Sequence, residues 1–219
     1  MKLNTNSNAY IIIYSTVLVV IVAFLLAFVY QALKPMQDAN VALDQKKQIL
    51  YSLNIRNLDG AEAEAKYAEV VKKEEQDGDR TVYTCEIDGE TIVVVSLKGM
   101  GLWGGISGYM AIRGGETPTV YGAYFNHESE TAGLGAEIKD SQAWQELFIG
   151  KKVFVDGTDH EDVALSVVKK VDDPTTQVDC VTGATLTSNG VNDMIKACLK
   201  GVRTASSAAA VNDSKAEEE

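Results

Sequence analysis

The sequence predicts an α+β fold: a single N-terminal transmembrane helix followed by one domain with an antiparallel sheet and flanking helices. Three observations carry this reading. Residues 10–30 form about 21 residues without a charge, the length a helix needs to cross the hydrocarbon of a bilayer. Between residues 81 and 125, two pairs of strand-like segments are each joined by turn residues. Near the C-terminus, Val191, Met194, Ile195, Cys198, Leu199 and Val202 recur at helical spacing.

Length and composition bound the function. The chain of 219 residues suffices for one domain with a sizeable core and an anchor. A net charge of −11 leaves no electrostatic footprint for nucleic acid, which excludes that class of partner, and an anionic membrane surface would repel it. Cys85, Cys180 and Cys198 are far apart and form no Cys-x-x-Cys pair, so neither a zinc site nor a disulfide framework is expected. His127 and His160 sit among carboxylates and read as surface, and no metal site is expected. No Ser/His/Asp or Cys/His arrangement suggests a catalytic nucleophile.

Residues 1–9 are short and polar. The apolar stretch 10–30 exceeds the roughly 7–15 residues of a signal-peptide apolar region, so an uncleaved anchor is expected. Its tyrosines, Tyr10, Tyr14 and Tyr30, suit the two interfaces, while the few flanking lysines leave the orientation open. Residues 31–80 read as a helical linker. Pro35 allows a break before a second helix over 40–53. Asp59 is positioned to cap a helix over 60–73, and the charged run 74–79 reads as an exposed loop.

The main domain is expected over 81–203. Strands 81–87 and 91–97 flank Asp88-Gly89, a strong hairpin signal, and strands 108–112 and 119–125 flank residues 113–116. The intervening stretch 98–105 is too rich in glycine to read as strand interior. Trp103 within it either lies beside a flat ligand or plugs a core edge. Ser141 should cap a short helix over 141–148 with Trp144, Leu147 and Phe148 on one face, ended by Gly150. Residues 153–155 and 163–170 read as strands around a turn at 156–159 that lacks the ligand pattern of a calcium loop. The last helix should begin near Ser188 or Asn189, with Cys198 on its buried stripe, and residues 204–219 read as a disordered acidic tail.

The chemically suggestive stretch is Asp179-Cys180-Val181-Thr182-Gly183-Ala184-Thr185-Leu186-Thr187-Ser188. Four hydroxyl side chains surround two small residues ahead of a helix, whose first N–H groups suit a phosphate. Taken alone, these hydroxyls are equally ordinary helix caps. The stretch resembles the flavinylation sequence of the FMN-binding subunits of Na+-translocating NADH:quinone reductases and of the related ion-translocating ferredoxin:NAD+ reductase complexes. The elements Gly101-Leu102-Trp103-Gly104 and Glu130-Thr131-Ala132-Gly133-Leu134-Gly135 precede it in the order found in those subunits. The Gly-Leu-Trp-Gly element favours the C subunits of the sodium-translocating reductases over their ferredoxin-linked relatives. Ala132 departs from the family's proline, which leaves that loop less restricted.

The resemblance implies one FMN-binding domain on the periplasmic side of the inner membrane, with FMN held covalently through a phosphoester on Thr185. It assigns Thr182, Gly183, Ala184, Leu102, Trp103, Glu130, Thr131, Gly133 and Leu134 to the flavin surroundings. Asp179 falls to recognition by a separate FMN transferase. The implied function is electron transfer from NADH toward quinone, coupled to sodium export, within a complex whose other subunits hold the NADH and quinone sites. A membrane-anchored binding or assembly module without a redox group is the alternative from another class. It would carry no covalent flavin.

Overall fold

The computed structural model describes residues 7–158 and 160–204. Residues 1–6, Asp159 and most of the expected tail, 205–219, lie outside the described residues. The chain divides into two compact units, 1–44 and 45–219. Residues 8–44 of the first belong to helix α1 (Asn8–Ser52). From residue 11 to residue 42 that helix exposes its side chains on every face, including its Ile, Val, Leu and Phe residues. Length and composition suit it to a single-pass membrane anchor. The expected break at Pro35 is absent. Proline removes one helical hydrogen bond and crowds the preceding turn, but the neighbouring Ala32, Leu33, Met36 and Gln37 favour helix, and α1 continues through it. Of the expected stripe on 40–53, Ile49 and Leu53 are buried and Val41 is exposed.

The second unit is built on a five-stranded antiparallel meander in the order β1-β2-β3-β4-β5. Helix α2 (Gly60–Val70) begins at Asp59, which accepts from the Glu62 N–H at 2.9 Å while Glu62 reaches back to the Asp59 N–H, a capping box. It stops short of residue 73 because Val71–Asp77 is strand β1, paired with β2 (Arg80–Ile87). Of the charged run 74–79 expected as a loop, residues 74–77 are therefore edge strand, and Gly78 and Asp79 form the turn into β2. The lysines and glutamates of β1 face solvent, which discourages pairing with another chain. Asp88 and Gly89, at φ 52° and 80°, turn β2 into β3 (Glu90–Met100) as the dipeptide predicts.

β3 and β4 (Gly105–Arg113) also form a hairpin, closed by residues 101–104, so the glycine-rich stretch contributes Lys98, Gly99, Met100 and Gly105 to strands. The ladder hydrogen bonds of the longer strands outweigh the weak strand preference of glycine. β5 (Thr119–His127) completes the sheet, with a bulge at Tyr121.

Alternation along the strands buries both faces. Ile92, Val94, Tyr109 and Ala111 pack with Tyr83, Cys85, Ile49, Leu53 and Val70. Val93, Val95, Leu97, Met110 and Phe125 face the other way, onto the C-terminal helix and the segments before it. Each large side chain so buried contributes roughly 1.5–3 kcal/mol.

Two short helices, α3 (Glu137–Asp140) and α4 (Gln142–Glu146), follow β5. Ser141 caps α4 by accepting from the Trp144 N–H at 3.2 Å. Trp144 and Phe148 enter the core beside Phe125, but Leu147 remains 46% exposed. The helix is too short for all three to share a face. Residues 153–155 form no regular strand, making only a single bridge from Phe154 to Val163. The second sheet is a short parallel pair, β6 (Ser166–Val168) with β7 (Gln177–Asp179). Helix α5 (Thr185–Leu199) covers the sheet with Val191, Met194, Ile195 and Leu199 buried, while Cys198 is only partly buried.

Candidate functional site

β7 delivers the chain into the Thr-rich stretch. The Asp179 carbonyl accepts from the Trp144 indole N–H at 2.8 Å, and its side chain is exposed. Val181 is buried, and its N–H donates to Ser188 Oγ at 3.0 Å. Gly183, at φ 79°, makes the turn that returns the backbone toward the helix. α5 then begins at Thr185, earlier than expected. Ser188 does not cap a helix; its hydroxyl is engaged by Val181, and its N–H donates to the Ala184 carbonyl at 2.9 Å, closing the first helical turn.

The four hydroxyls separate by accessibility. Thr187 and Ser188 are buried and hydrogen-bonded, whereas Thr182 is exposed and Thr185 is partly exposed. Thr185 occupies the first helical position. Ala184 before it supplies no side-chain acceptor, so the helix start presents backbone N–H groups uncapped by a side chain. Leu186 is 60% exposed, away from the buried stripe.

Two other segments converge on this helix start. In the 101–104 turn, the Gly101 N–H donates to the Gly104 carbonyl at 2.9 Å. Trp103 is 67% exposed, so it does not plug the core; Met100 and Leu102 beside it are exposed too. In the 128–136 loop, the Thr131 carbonyl accepts from the N–H groups of Leu134 and Ala136, and Thr131, Gly133 and Leu134 lie at the surface. Leu134 closes over Gly183 so tightly that a Cβ there would stand 2.9 Å from Leu134 Cδ2. Gly190 lets α5 approach the backbone of the β3 end, since an added Cβ would strike the Met100 carbonyl.

Of the residues in the 128–136 loop that the resemblance assigns to the flavin surroundings, Glu130 alone is buried. It is 7% exposed, and its oxygens accept from the Trp103 N–H at 2.9 Å and the Thr187 hydroxyl at 2.6 Å. Burial pushes its pKa up. The hydrogen bonds from Thr187, Trp103 and Leu102 and the nearby His127 outweigh that and hold the carboxyl below the ordinary glutamate range.

The surface around Thr185 therefore combines a reachable hydroxyl, the positive end of a 15-residue helix and the exposed side chains of Leu102, Trp103, Leu134 and Leu186. These features fit FMN: a phosphate at the helix start and a flat aromatic ring system whose apolar part meets apolar side chains. A recess lined by Lys73, Asp77, Arg80, Val82 and Arg203 contains none of the motif residues. Leu186 in this platform and the exposed Met100 beside it are not among the residues the motifs point to. Their signal is a large apolar side chain next to a glycine turn and off the buried stripe of its helix. Sequence reasoning also left Thr187 as an alternative acceptor, without its bond to Glu130.

Residues 101–200 match the family model described as FMN-binding domain. The C subunit of the Na(+)-translocating NADH-quinone reductase of Pseudomonas aeruginosa is 37% identical over 121 residues, covering 52% of this chain and 44% of the relative. That of Haemophilus ducreyi is 38% identical over 133 residues, covering 60% and 46%. The matches thus span about half the length of these curated relatives. The crystal structure of the corresponding C subunit from Parabacteroides distasonis is 34% identical to the chain. It aligns with a TM-score of 0.69 over 77% of this chain and 94% of that one. Shewanella oneidensis NqrC, 21% identical with a TM-score of 0.56, shares the fold. The chain belongs to the family formed by the C subunits of Na(+)-translocating NADH-quinone reductases.

Proposed function

We propose that the chain is a membrane-anchored electron carrier, bearing FMN covalently on Thr185, within a sodium-translocating reductase that passes electrons from NADH toward quinone. The observation that carries this reading is the arrangement at the start of α5. There an accessible Thr185 at the first helical position adjoins an exposed apolar platform of Leu102, Trp103, Leu134 and Leu186.

Attachment requires a hydroxyl that an external enzyme can reach. In a separate FMN transferase, Thr185 Oγ1 loses its proton and forms the phosphoester to the FMN half of FAD, and AMP leaves. Burial and hydrogen bonding withdraw Thr187 and Ser188 from that role. The exposed Asp179 side chain is available for recognition by the transferase.

Once bound, FMN supplies the electron acceptance and donation, and the protein supplies attachment, orientation and tuning. The α5 N–H groups would hold the phosphate charge, Gly183 and Ala184 keep the turn slim, and the four apolar side chains would contact the flavin ring. A tethered group cannot dissociate, which suits a relay held at a membrane face. The anchor is α1 and the domain lies on the periplasmic side. Sites for NADH, quinone and sodium belong to partner subunits.

The test is co-expression with an FMN transferase, followed by in-gel flavin fluorescence of the denatured protein. The native band should fluoresce and the Thr185→Ala band should be dark. A dark native band, with a known acceptor labelled in parallel, would leave the non-redox module as the account. Persistent fluorescence in Thr185→Ala would move the attachment to Thr182.

A further inference from the structure

The carboxylate of Glu130 lies where three segments meet. One oxygen accepts from the Trp103 N–H at 2.9 Å, at the tip of the 101–104 turn, and the other accepts from the Thr187 hydroxyl at 2.6 Å, in the first turn of α5. The Glu130 N–H donates to His127 Nδ1 at 3.2 Å, which fixes the start of the 128–136 loop to the end of β5. Two glycines make room for this carboxylate. A Cβ on Gly101 or on Gly135 would run into its oxygens, and one on Gly135 would also stand 2.6 Å from Thr187 Oγ1.

Among the described residues, no lysine or arginine pairs with Glu130. Its charge is compensated by amide and hydroxyl dipoles, by the nearby start of α5 and by His127. A buried carboxylate without a lysine or arginine is a demanding arrangement, kept only where its hydrogen bonds are well made. With both oxygens engaged and 7% of its surface exposed, Glu130 is turned toward the protein rather than the open surface.

We propose that Glu130 is a positioning residue. Its ionised carboxylate locks the 101–104 turn, the 128–136 loop and the first turn of α5 into one frame, which sets the apolar platform relative to the Thr185 hydroxyl and leaves a fixed negative charge behind it. The role toward FMN rests on the flavin reading given above; the frame itself does not. Two consequences separate geometry from charge. Loss of the side chain frees Trp103 and Thr187 from each other. Replacement by glutamine keeps an acceptor for the Trp103 N–H and a donor for Thr187 Oγ1, but removes the charge, which shifts the potential of an adjacent electron acceptor upward.

The experiment uses the full chain in detergent, with and without transferase co-expression, as native, Glu130→Gln, Glu130→Ala and Thr187→Val forms. In flavin-free protein, amide exchange at Trp103 should quicken at least about tenfold in Glu130→Ala, as expected for loss of a charge-assisted hydrogen bond. Thr187→Val should move it in the same direction by less, and Glu130→Gln should restore most of the protection. In flavin-loaded protein, Glu130→Gln should keep covalent flavin and raise its midpoint potential, while Glu130→Ala should also alter the visible circular dichroism. Unchanged Trp103 exchange in Glu130→Ala would overturn the frame. An unchanged potential in a fully loaded Glu130→Gln protein would overturn the role of the charge. If the native chain takes up no flavin while the exchange pattern holds, the flavin reading fails and the frame stands.

Discussion

At its C-terminal end, α5 gives the carbonyls of Cys198 and Lys200 to a single guanidinium, that of Arg80, at 2.7 Å each. Asp77 holds that guanidinium from behind at 2.6 Å, and the Lys196 ammonium donates to the Val163 carbonyl close by. At its N-terminal end, Ala184 gives no cap, Thr182 is exposed and Thr185 partly exposed, and Leu186 and Leu134 lie at the surface. One end is closed with charge-assisted hydrogen bonds to the sheet. The other is held from the inside, by Glu130 and by close backbone packing at Gly190, while its outer face stays open. Both termini are fixed to the fold, but only the N-terminal one leaves its outermost N–H groups without a side-chain cap. A helix start with polar caps would be more stable alone and less able to receive a phosphate.

Substitutions can break this division in order of effect. Gly190→Val should do the most. It forces a branched side chain into the Met100 carbonyl, should destabilise the domain by about 3 kcal/mol, and should lower flavin attachment together with the melting temperature. Thermal unfolding and flavin content, measured on the same preparation, check it. Arg80→Ala should remove about 2 kcal/mol by releasing two carbonyls and leaving Asp77 unpaired, yet flavin attachment should persist in the folded fraction. A loss of attachment there without unfolding would show that the two ends are coupled.

The smallest effect is a pH dependence. Glu130 is held below the ordinary glutamate pKa, so its contribution to stability is complete above the unfolded value, about 4.3, and disappears as pH falls through the lower folded value. Denaturation followed from pH 6 to pH 3 should therefore be less steep in Glu130→Gln than in the native chain. Arg80→Ala should leave the Glu130 contribution to that slope in place, because a guanidinium does not titrate in this range.

Much of the fold is legible in the sequence where a local signal has a local cause. Asp88-Gly89 supplies the two positive φ angles of a tight hairpin, and Asp59 with Glu62 closes a capping box within one turn. The misses arise where distant partners decide. β1 is charged along its length because it is an edge, and only its pairing with β2 makes it a strand. β7 has three residues and no apolar alternation to announce it. The start of α5 is earlier than its hydroxyls suggest because Ser188 is engaged by Val181 rather than by the helix it was expected to cap. The motif order points to the site through family resemblance, whereas the role of Glu130 depends on Thr187, 57 residues away, and no spacing rule connects them.

Peptide mass mapping of the full-length protein purified after transferase co-expression reads the attachment point at residue resolution. One fragment containing Thr185 should carry the mass of FMN less water, and fragmentation should locate it on that threonine. Unmodified Thr185 in protein made with an active transferase, or FMN found on Thr182 instead, would contradict the account.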